Sequence, residues 1–263
     1  MKFLPIEQRE HPLWFKANAG LRLAILRGAT RPFARNLVVN EFPKSGGSWL
    51  SLMLAQVFDL PFPRNRLPMM RSCLMQCHVL NPWNMRDVVV VWRDGRDVMV
   101  SLYHHMVLGH EKRSQARAGR FANALGIKDP EDVTGNLPRF IECAMTAPIF
   151  PRFTWPQFVE TWHGRKGVVE TRYEDLLADP AKELHRLADE LGREVRDPAR
   201  IDKAVEDNSF QRQSGRAAGT EARRSFMRKG IAGDWKNHFT DEACEIFDHH
   251  AGQALAALGY RDS

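Results

Sequence analysis

Short apolar runs rich in valine alternate along the chain with segments whose apolar residues recur at helical spacing. The run from Val88 to Trp92 is apolar at every position, which is typical of a strand buried on both faces of a parallel sheet. Three pairs of a strand and a following helix are predicted: 36–42 with 47–58, 87–92 with 95–108, and 167–173 with 180–191. This alternation predicts a single α/β domain in which helices flank a central parallel β-sheet.

Two further segments depart from this alternation. Residues 109–154 join a strongly charged stretch to one interrupted by prolines, and we predict that they form a lid or a substrate-binding segment. Residues 1–35 form a predicted N-terminal extension, in which 14–35 have the aromatic, leucine and arginine residues of a basic amphipathic helix. Packing of this helix on its own domain is one interpretation, and weak association with an anionic membrane surface is the other.

The composition limits the classes of protein that fit the sequence. A chain of 263 residues with 43% hydrophobic content can build one large core, so residues 1–263 are predicted to form a single domain. A net charge of +6 suits anionic ligands but is too small to indicate nucleic-acid binding. The absence of a long apolar run and of a signal-peptide pattern predicts a cytoplasmic protein. The four cysteines have no metal-ligand spacing, so no metal is expected.

The stretch NEFPKSGGSW, residues 40–49, lies between the first predicted strand and its helix. Ligands of parallel sheets bind beyond the carboxyl ends of the strands, which makes this P-loop-like segment a candidate phosphate site. Its Lys-Ser pair matches the end of a Walker A motif, but Val38 and Pro43 stand where that motif has glycines. The two glycines after Lys44 would let backbone amides approach an anion. A plain turn capped by Ser48 would have a similar sequence.

Two later loops also carry cationic residues. Arg93 follows a predicted buried strand, and Ser101 lies two turns into the next helix, so that a guanidinium and a hydroxyl could both reach a phosphate. Arg228, Lys229 and Gly230 form a cationic loop with a conformationally permissive glycine. Taken singly, each loop is equally well explained as a solvated surface turn whose charges pair with neighbours.

Taken together, the three stretches resemble one family in order and spacing. FPKSGGSW resembles the PKSGTTW loop of cytosolic-type sulfotransferases, WRDGRDVMVS resembles their 3′-phosphate element, and FMRKGIAGDWKNHFT is similar to their RKGxxGDWKNxFT signature. These matches bracket residues 36–240. The resemblance implies an enzyme that moves a sulfuryl group from 3′-phosphoadenosine 5′-phosphosulfate (PAPS) to a hydroxyl or, less typically, an amine, releasing 3′-phosphoadenosine 5′-phosphate (PAP), without a metal.

The resemblance also assigns binding roles to single residues. It implies that Lys44 lies near the 5′-phosphate and the bridging oxygen, and that Trp49 and Phe210 stack against the adenine, which Tyr173 also contacts. The residues expected around the 5′-phosphate are Ser45, Gly46, Gly47 and Ser48, and those expected around the 3′-phosphate are Arg93, Ser101, Arg228, Lys229 and Gly230. Asn208 stands where the family usually has threonine.

The general base of the family is a histidine between the first two loops, and here His78 matches by order. Considered without the resemblance, a lone histidine in an apolar stretch is more often structural. Gln76 stands where the family has lysine, and the residues after His78 differ from the family pattern. A neutral imidazole at pH 7 is suited to remove a proton. We therefore expect His78, Lys44 and Ser101 to act in catalysis.

Other classes and partners remain open at the level of sequence. A P-loop kinase or ATPase, and a non-catalytic nucleotide-binding scaffold, are the alternatives to a sulfotransferase. A small molecule, a lipid or a glycan is expected as the acceptor, and residues 59–72 together with 109–154 are expected to help bind it. The family's dimer motif has Asp241 in place of valine, which leaves the oligomeric state open.

Overall fold

The computed structural model describes residues 12–64, 70–109, 112–223, 225 and 227–261. It contains four strands: β1 (Leu37–Glu41), β2 (Leu74–Cys77), β3 (Val88–Trp92) and β4 (Val168–Arg172). All neighbouring strands pair in parallel, in the order β2-β1-β3-β4. The predicted parallel α/β sheet is confirmed, and each of the three strands predicted from apolar runs lies within its predicted range.

Helices connect the strands and follow the last of them. In chain order they are α1 (Pro12–Leu26), α2 (Gly47–Val57), α3 (Gly95–Tyr103), α4 (Lys112–Ala124), α5 (Val133–Thr146), α6 (Trp155–Trp162), α7 (Tyr173–Ala178), α8 (Pro180–Glu190), α9 (Ala199–Asp207), α10 (Phe210–Ser214) and α11 (Asp241–Ala257). The helix predicted over 95–108 is α-helical only as far as Tyr103. Residues 104–108 continue it as a turn of π-helix.

The sheet separates two apolar cores. Alternate side chains of β1 and β3 point to opposite faces, because successive side chains of a strand alternate. On one face Val38 and Val90 pack among residues of α3, α5, α6 and α11. On the other face Val39 and Val89 pack among residues of α2, α8 and α9. This burial on both sides explains why the two central strands have no polar alternation except at their ends.

Residues 109–154 contain more regular structure than the sequence predicted. Helices α4 and α5 lie in this segment, and α5 buries Leu137, Phe140 and Ile141 in the same core as β3. Its helical pattern is hard to detect because Gly135 and Pro138 lie inside the helix, and proline there removes one backbone hydrogen bond of the helix. The segment is therefore a packed part of the domain, and its role as a lid stays a prediction.

Helix α1 lies within the predicted N-terminal extension, which stays a prediction. Ile25 and Leu26 at its C-terminal end are buried, as is Asn18 near its middle, whereas Leu13, Trp14 and Leu21 are exposed. The buried apolar side chains described for this helix therefore lie at its C-terminal end. In the part of the chain that the structure describes, no helix has the length and apolar character needed to cross a membrane.

The packing of α3 against the second half of the chain can be tested at Gly95. A Cβ atom at this buried position would lie 2.7 Å from Phe247 Cζ and 3.0 Å from the Trp155 ring. We expect Gly95→Ala to lower the free energy of unfolding by about 1–3 kcal/mol through overpacking. Gly119→Ala is the control, because nothing lies within 4 Å of its Cβ position; it should be neutral or stabilise by up to ~1 kcal/mol. Urea unfolding curves of both variants measure the difference, and equal stability of the two would contradict this packing.

Candidate active site

The loop from Phe42 to Gly46 joins β1 to α2 and has a conformation that depends on glycine. Lys44 and Gly46 both adopt the left-handed region, with φ of 78° and 102°. A Cβ atom on Gly46 would lie 2.6 Å from Tyr173 Cδ2, so this position excludes side chains for steric as well as conformational reasons. Gly46 is also the N-cap of α2 and makes no side-chain cap bond. The alternative of a plain turn capped by Ser48 is therefore wrong.

Some backbone amides of this loop donate to acceptors within the protein, and others remain as candidate donors to a ligand. Ser45 N donates to Phe42 O at 3.2 Å, and Gly47 N donates to Glu41 Oε2 at 2.5 Å. Among the described residues this leaves the amides of Gly46 and Ser48 as candidate donors to an anion. They lie at the N-terminus of α2, where the helix dipole favours negative charge.

The Lys44 amine lies among groups that oppose its own charge. The pKa of Lys44 is lowered to about 8, mainly by burial; the Glu41 carboxylate opposes this shift, and the guanidinium groups of Arg93 and Arg228 contribute to it. These couplings place Lys44 close to Arg93 and Arg228, which come from two distant parts of the sequence. The structure therefore brings the three loops that carry Lys44, Arg93 and Arg228 together at one place, as the sequence predicted.

Arg93 emerges from the end of β3 and is held by the backbone of the two other loops. Its Nη1 donates to Lys44 O at 3.2 Å and its Nη2 donates to Ile231 O at 3.1 Å. Its guanidinium carbon lies 4.4 Å from the centre of the Tyr173 ring. The buried Nε atom of Arg93 has no hydrogen-bond partner among the described residues. One donor of this arginine is therefore available for a ligand.

The two cationic side chains of the third loop share one carboxylate, Asp234. Arg228 and Lys229 both donate to it, Lys229 at 2.7 Å, and Arg228 Nη1 also donates to Glu221 Oε1 at 2.7 Å. Burial opposes the ionisation of Asp234, but hydrogen bonds from His238, Lys229 and Arg228 outweigh burial and hold its carboxyl pKa below the usual range. The buried Arg228 Nε atom has no partner among the described residues.

Asp97 fastens the third loop to α3. Its carboxylate accepts hydrogen bonds from Gly233 N at 2.7 Å and Trp235 N at 2.9 Å, and it lies 3.6 Å from Arg93 Nη2. Ser101 is half-buried and follows Asp97 by four residues on α3, hence on the same side of the helix. Its contact with a phosphate stays a prediction.

Three aromatic residues lie beside the cationic cluster. The rings of Trp49 and Tyr173 meet edge to face, with centroids 5.8 Å apart. Trp49 Nε1 donates to Asn208 O at 2.8 Å. Asn208 precedes Phe210 by two residues, so this bond ties Trp49 to the segment of Phe210. Phe210 packs against Gly230, where a Cβ atom would overlap its ring. The structure thus brings the three residues predicted to contact the adenine to one edge of the site, and their contact with adenine stays a prediction.

His78 lies one residue beyond the end of β2, between the loop and an apolar cavity. Its Nδ1 atom is 3.0 Å from Glu41 O. Because a carbonyl oxygen only accepts, this contact favours the tautomer with the proton on Nδ1 and leaves Nε2 as an acceptor. On its other side the ring meets Phe150 edge to face, with centroids 6.2 Å apart.

The apolar cavity beside His78 is lined in part by residues of α3 and α5. Among the lining residues are Phe42, Leu102, Phe140, Phe150 and Phe153. The sequence offers seven aromatic and methionine residues either as lining of an acceptor pocket or as ordinary core: Phe62, Met69, Met70, Phe140, Phe150, Phe153 and Trp155. Of these, Phe140, Phe150 and Phe153 are among the lining residues. The others lie elsewhere: Phe62 packs against the opposite core, Trp155 is fully buried, Met70 is exposed on the surface, and Met69 is outside the described residues.

Sequence reasoning missed three carboxylates that organise the site. Glu41 lies at the end of an apolar strand, and in the sequence Asp97 is only one of several charges beside Arg93 and Arg96. Asp234 was visible within the GDWKN stretch, but nothing in its neighbours indicated that it holds both Arg228 and Lys229. Each carboxylate compensates a buried donor, which a sequence pattern does not reveal.

Comparison with known proteins identifies the family. A model of the sulfotransferase domain matches residues 75–259. The chain is 26% identical to sulfotransferase 1E1 of the guinea pig Cavia porcellus and to that of Homo sapiens, in each case with 84% of this chain and 83% of the relative covered.

Solved structures support the fold. Mouse sulfotransferase SULT7A1, complexed with PAP, has a TM-score of 0.61 at 18% identity and covers 92% of this chain and 95% of its own. Retinol dehydratase, in complex with androsterone and the inactive cofactor PAP, has a TM-score of 0.55 at 17% identity and covers 84% of this chain and 80% of its own. The three motifs predicted a sulfotransferase. The parallel sheet, the loop at the end of β1 and the family match over more than half of the chain all agree with that prediction. The protein therefore belongs to the sulfotransferase domain family, as a sulfotransferase enzyme with the sulfotransferase fold.

Proposed function

We propose that this sulfotransferase transfers the sulfuryl group of PAPS to a hydroxyl group of a small apolar acceptor, with His78 as the general base. The observation that carries the proposal is the position of His78. Its Nδ1 atom is held by Glu41 O, directly before the loop of Lys44, and its ring contacts Phe150 of the apolar cavity. One imidazole therefore joins the anion-binding loop to a cavity suited to an apolar acceptor.

The residues present fit a donor that carries two separate phosphate groups. Arg93 and Arg228 each have a buried Nε atom without a partner among the described residues, and an unsatisfied buried donor costs about 1–3 kcal/mol. A phosphate oxygen would satisfy both. We assign the 3′-phosphate to these two arginines with Lys229, Gly230 and Ser101.

The second phosphate group fits the loop at the end of β1. The amides of Gly46 and Ser48 and the Lys44 amine would hold the 5′-phosphosulfate, and Ser45 and Gly47 shape the loop. A lysine whose pKa burial has lowered gains from a neighbouring anion, because the anion restores its charge. The structures of SULT7A1 and of retinol dehydratase are complexes with PAP, the product of PAPS. This supports PAPS as the donor of the present protein.

The adenine of the donor is assigned to the aromatic edge of the site. Trp49, Tyr173 and Phe210 offer ring faces or edges beside Gly46 and Gly230, the two glycines of the phosphate loops. A purine ring stacked there would bury apolar surface and would need few specific hydrogen bonds. The three aromatic residues thus complete a site for a nucleotide with phosphates on two sides.

The chemistry requires one proton to move and one charge to be stabilised. PAPS supplies an electrophilic sulfur and PAP as the leaving group: the acceptor oxygen forms a bond to sulfur while the bond from sulfur to the bridging oxygen breaks, and its electron pair stays on the phosphate. His78 Nε2 takes the proton of the acceptor hydroxyl, because the contact to Glu41 O keeps the other ring nitrogen protonated. Lys44 stabilises the charge that develops on the departing phosphate.

The cavity defines the chemical class of the acceptor. Phe42, Leu102, Phe140 and Phe153 line the small apolar cavity, and Phe150, which also lines it, contacts His78. An alcohol with an aromatic or aliphatic body, either a free small molecule or a lipid, would bury its apolar part there, whereas a glycan has little apolar surface to bury. Contact of residues 14–35 with a membrane surface, the oligomeric state and a cytoplasmic location stay predictions.

Donor binding separates the sulfotransferase from a kinase or ATPase. We expect PAP, at about 100 times its Kd and without magnesium, to raise the Tm by about 5 °C through preferential binding to the folded state. ATP with magnesium should have little effect, because a single terminal triphosphate cannot occupy both phosphate sites. Differential scanning fluorimetry measures the shift, and stabilisation by magnesium ATP alone would show that the donor assignment is wrong.

The role of His78 is tested by its removal. With radiolabelled PAPS and 2-naphthol or 1-octanol as acceptors, we expect His78→Ala to lower kcat by about 10²- to 10⁴-fold, since general-base catalysis is lost. The Kd for PAP should stay the same, because His78 is not assigned to the donor. His249→Ala, at an exposed position of α11, is the matched control and should retain full activity. If kcat of His78→Ala falls by less than about tenfold, His78 is not the base. If the wild type binds PAP but transfers no sulfate, the protein is a nucleotide-binding scaffold.

The pKa of Lys44 predicts how donor affinity depends on pH. In the free protein this pKa is about 8, and a bound anion raises it, so binding is strongest while Lys44 is charged. As the pH rises from 7 to 9, the free protein loses the proton that the complex keeps, and the Kd for PAP should increase about tenfold. Isothermal titration calorimetry measures this change. Lys44→Arg should remove the dependence, because arginine stays charged over this range; a flat profile for the wild type would contradict the role of Lys44.

A further inference from the structure

The site contains a buried carboxylate where a bound anion is expected. Glu41 is the last residue of β1, is only 3% exposed and directly precedes the loop of Lys44. A carboxylate next to an anion site opposes anion binding through repulsion, and its burial costs free energy unless hydrogen bonds compensate. A residue with both disadvantages needs a structural explanation.

The hydrogen bonds of Glu41 connect three parts of the site. Its Oε2 atom accepts from Gly47 N at 2.5 Å, and its Oε1 atom accepts from Gln76 Nε2 at 2.6 Å. Gln76 Nε2 also lies 2.9 Å from Ser48 Oγ, so the loop is tied to β2 on its other side. The main-chain oxygen of Glu41 holds His78 Nδ1 at 3.0 Å. One residue thus contacts the helix start, the neighbouring strand and the proposed base.

The close approach of the carboxylate depends on the glycine it contacts. A Cβ atom on Gly47 would overlap the Glu41 carboxyl group. The first residue of α2 is therefore held against β1 by a charge-assisted hydrogen bond, which is stronger than a bond between neutral groups. With Gly47 N bonded to Glu41, the amides of Gly46 and Ser48 are the ones that we assign to the anion.

We propose that Glu41 is a positioning residue of the donor site: with Gln76, its carboxylate fixes Gly47 and thereby sets the loop in the shape that binds the 5′-phosphosulfate. This inference rests on the proposed function, because it takes the loop as the binding site of the donor. It extends that function by assigning a role to a carboxylate and an amide that do not themselves contact the donor.

The same carboxylate balances the charge of the loop. The charged groups that act on Lys44 are Glu41, which favours its protonated form, and Arg93 and Arg228, which disfavour it. Removal of the Glu41 charge leaves the two arginines unopposed, so Lys44 would lose its proton at a lower pH. A merely structural glutamate, remote from the loop, would have no such effect.

The two opposite effects of the carboxylate make the sign of the result decisive. If Glu41 only repels the donor, Glu41→Gln should bind PAP more tightly than the wild type. If Glu41 positions the loop, the variant should bind more weakly, because an amide has one acceptor atom and cannot accept from both Gly47 N and Gln76 Nε2 in the same places.

The experiment is a calorimetric titration with PAP at pH 7 and pH 9. We expect Glu41→Gln to weaken PAP binding about tenfold at pH 7, and the further loss between pH 7 and pH 9 to exceed that of the wild type, because the pKa of Lys44 falls. Glu183→Gln is the matched control: Glu183 is also a buried carboxylate, 7% exposed, but it bonds to Arg186 and Thr171 on α8 and β4. This control should bind PAP as the wild type does at both pH values.

Each outcome decides between the inferences. PAP binding by Glu41→Gln that equals or exceeds that of the wild type at pH 7 overturns the positioning role and leaves the donor assignment intact. Failure of the wild type to bind PAP overturns the proposed function instead. If Glu41→Gln does not fold, Gln76→Leu takes its place, because it retains the Glu41 carboxylate and removes one of the two hydrogen bonds that hold it. We expect this variant to bind PAP several-fold more weakly than the wild type. An unchanged affinity for PAP overturns the proposal.

Discussion

Like charges held together at the carboxyl edge of the sheet are the constraint on which this structure depends. Lys44, Arg93 and Arg228 repel one another, and burial adds to the cost. Their positions are stabilised by backbone carbonyls and by four carboxylates, Glu41, Asp97, Glu221 and Asp234. The cluster is therefore assembled in advance of any ligand, and an anion that enters it meets fixed donors that need little reorganisation.

The elements that build this edge could be predicted from the sequence, because each depends on local pattern. Continuous apolar runs identified β1 and β3, whose two faces are both buried, and the order of strand and helix identified the parallel sheet. In a parallel sheet the carboxyl ends of the strands meet at one edge, so Lys44 and Arg93 had to lie close together. The third loop has no strand before it, and only the resemblance to a family placed Arg228 there.

The remainder could not be predicted because it depends on contacts between distant residues. Helix α5 contains a glycine and a proline, and its burial against β3 outweighs their low helix propensity. The carboxylate of Glu41 belongs by sequence to an apolar strand, and only the partners at Gly47 and Gln76 show why a charge is retained in a buried position. Local propensity describes neither case, since both are decided by tertiary packing and by hydrogen bonds to distant partners.

The same contacts explain why the donor site requires the whole domain. Asp97, in the first turn of α3, accepts from the amides of Gly233 and Trp235, and Arg93 donates to Ile231 O. The loop that carries Arg228 is thus fixed by residues more than 130 positions earlier, through bonds buried beside the sheet. Since α11 packs against α3 and α6 in the core on that face, the C-terminal part of the chain both closes the hydrophobic core and supplies the loop of Arg228, which we assign to the 3′-phosphate. Assembly of the donor site therefore depends on the folded domain, because Arg93 and Asp97 find their backbone partners only in the third loop.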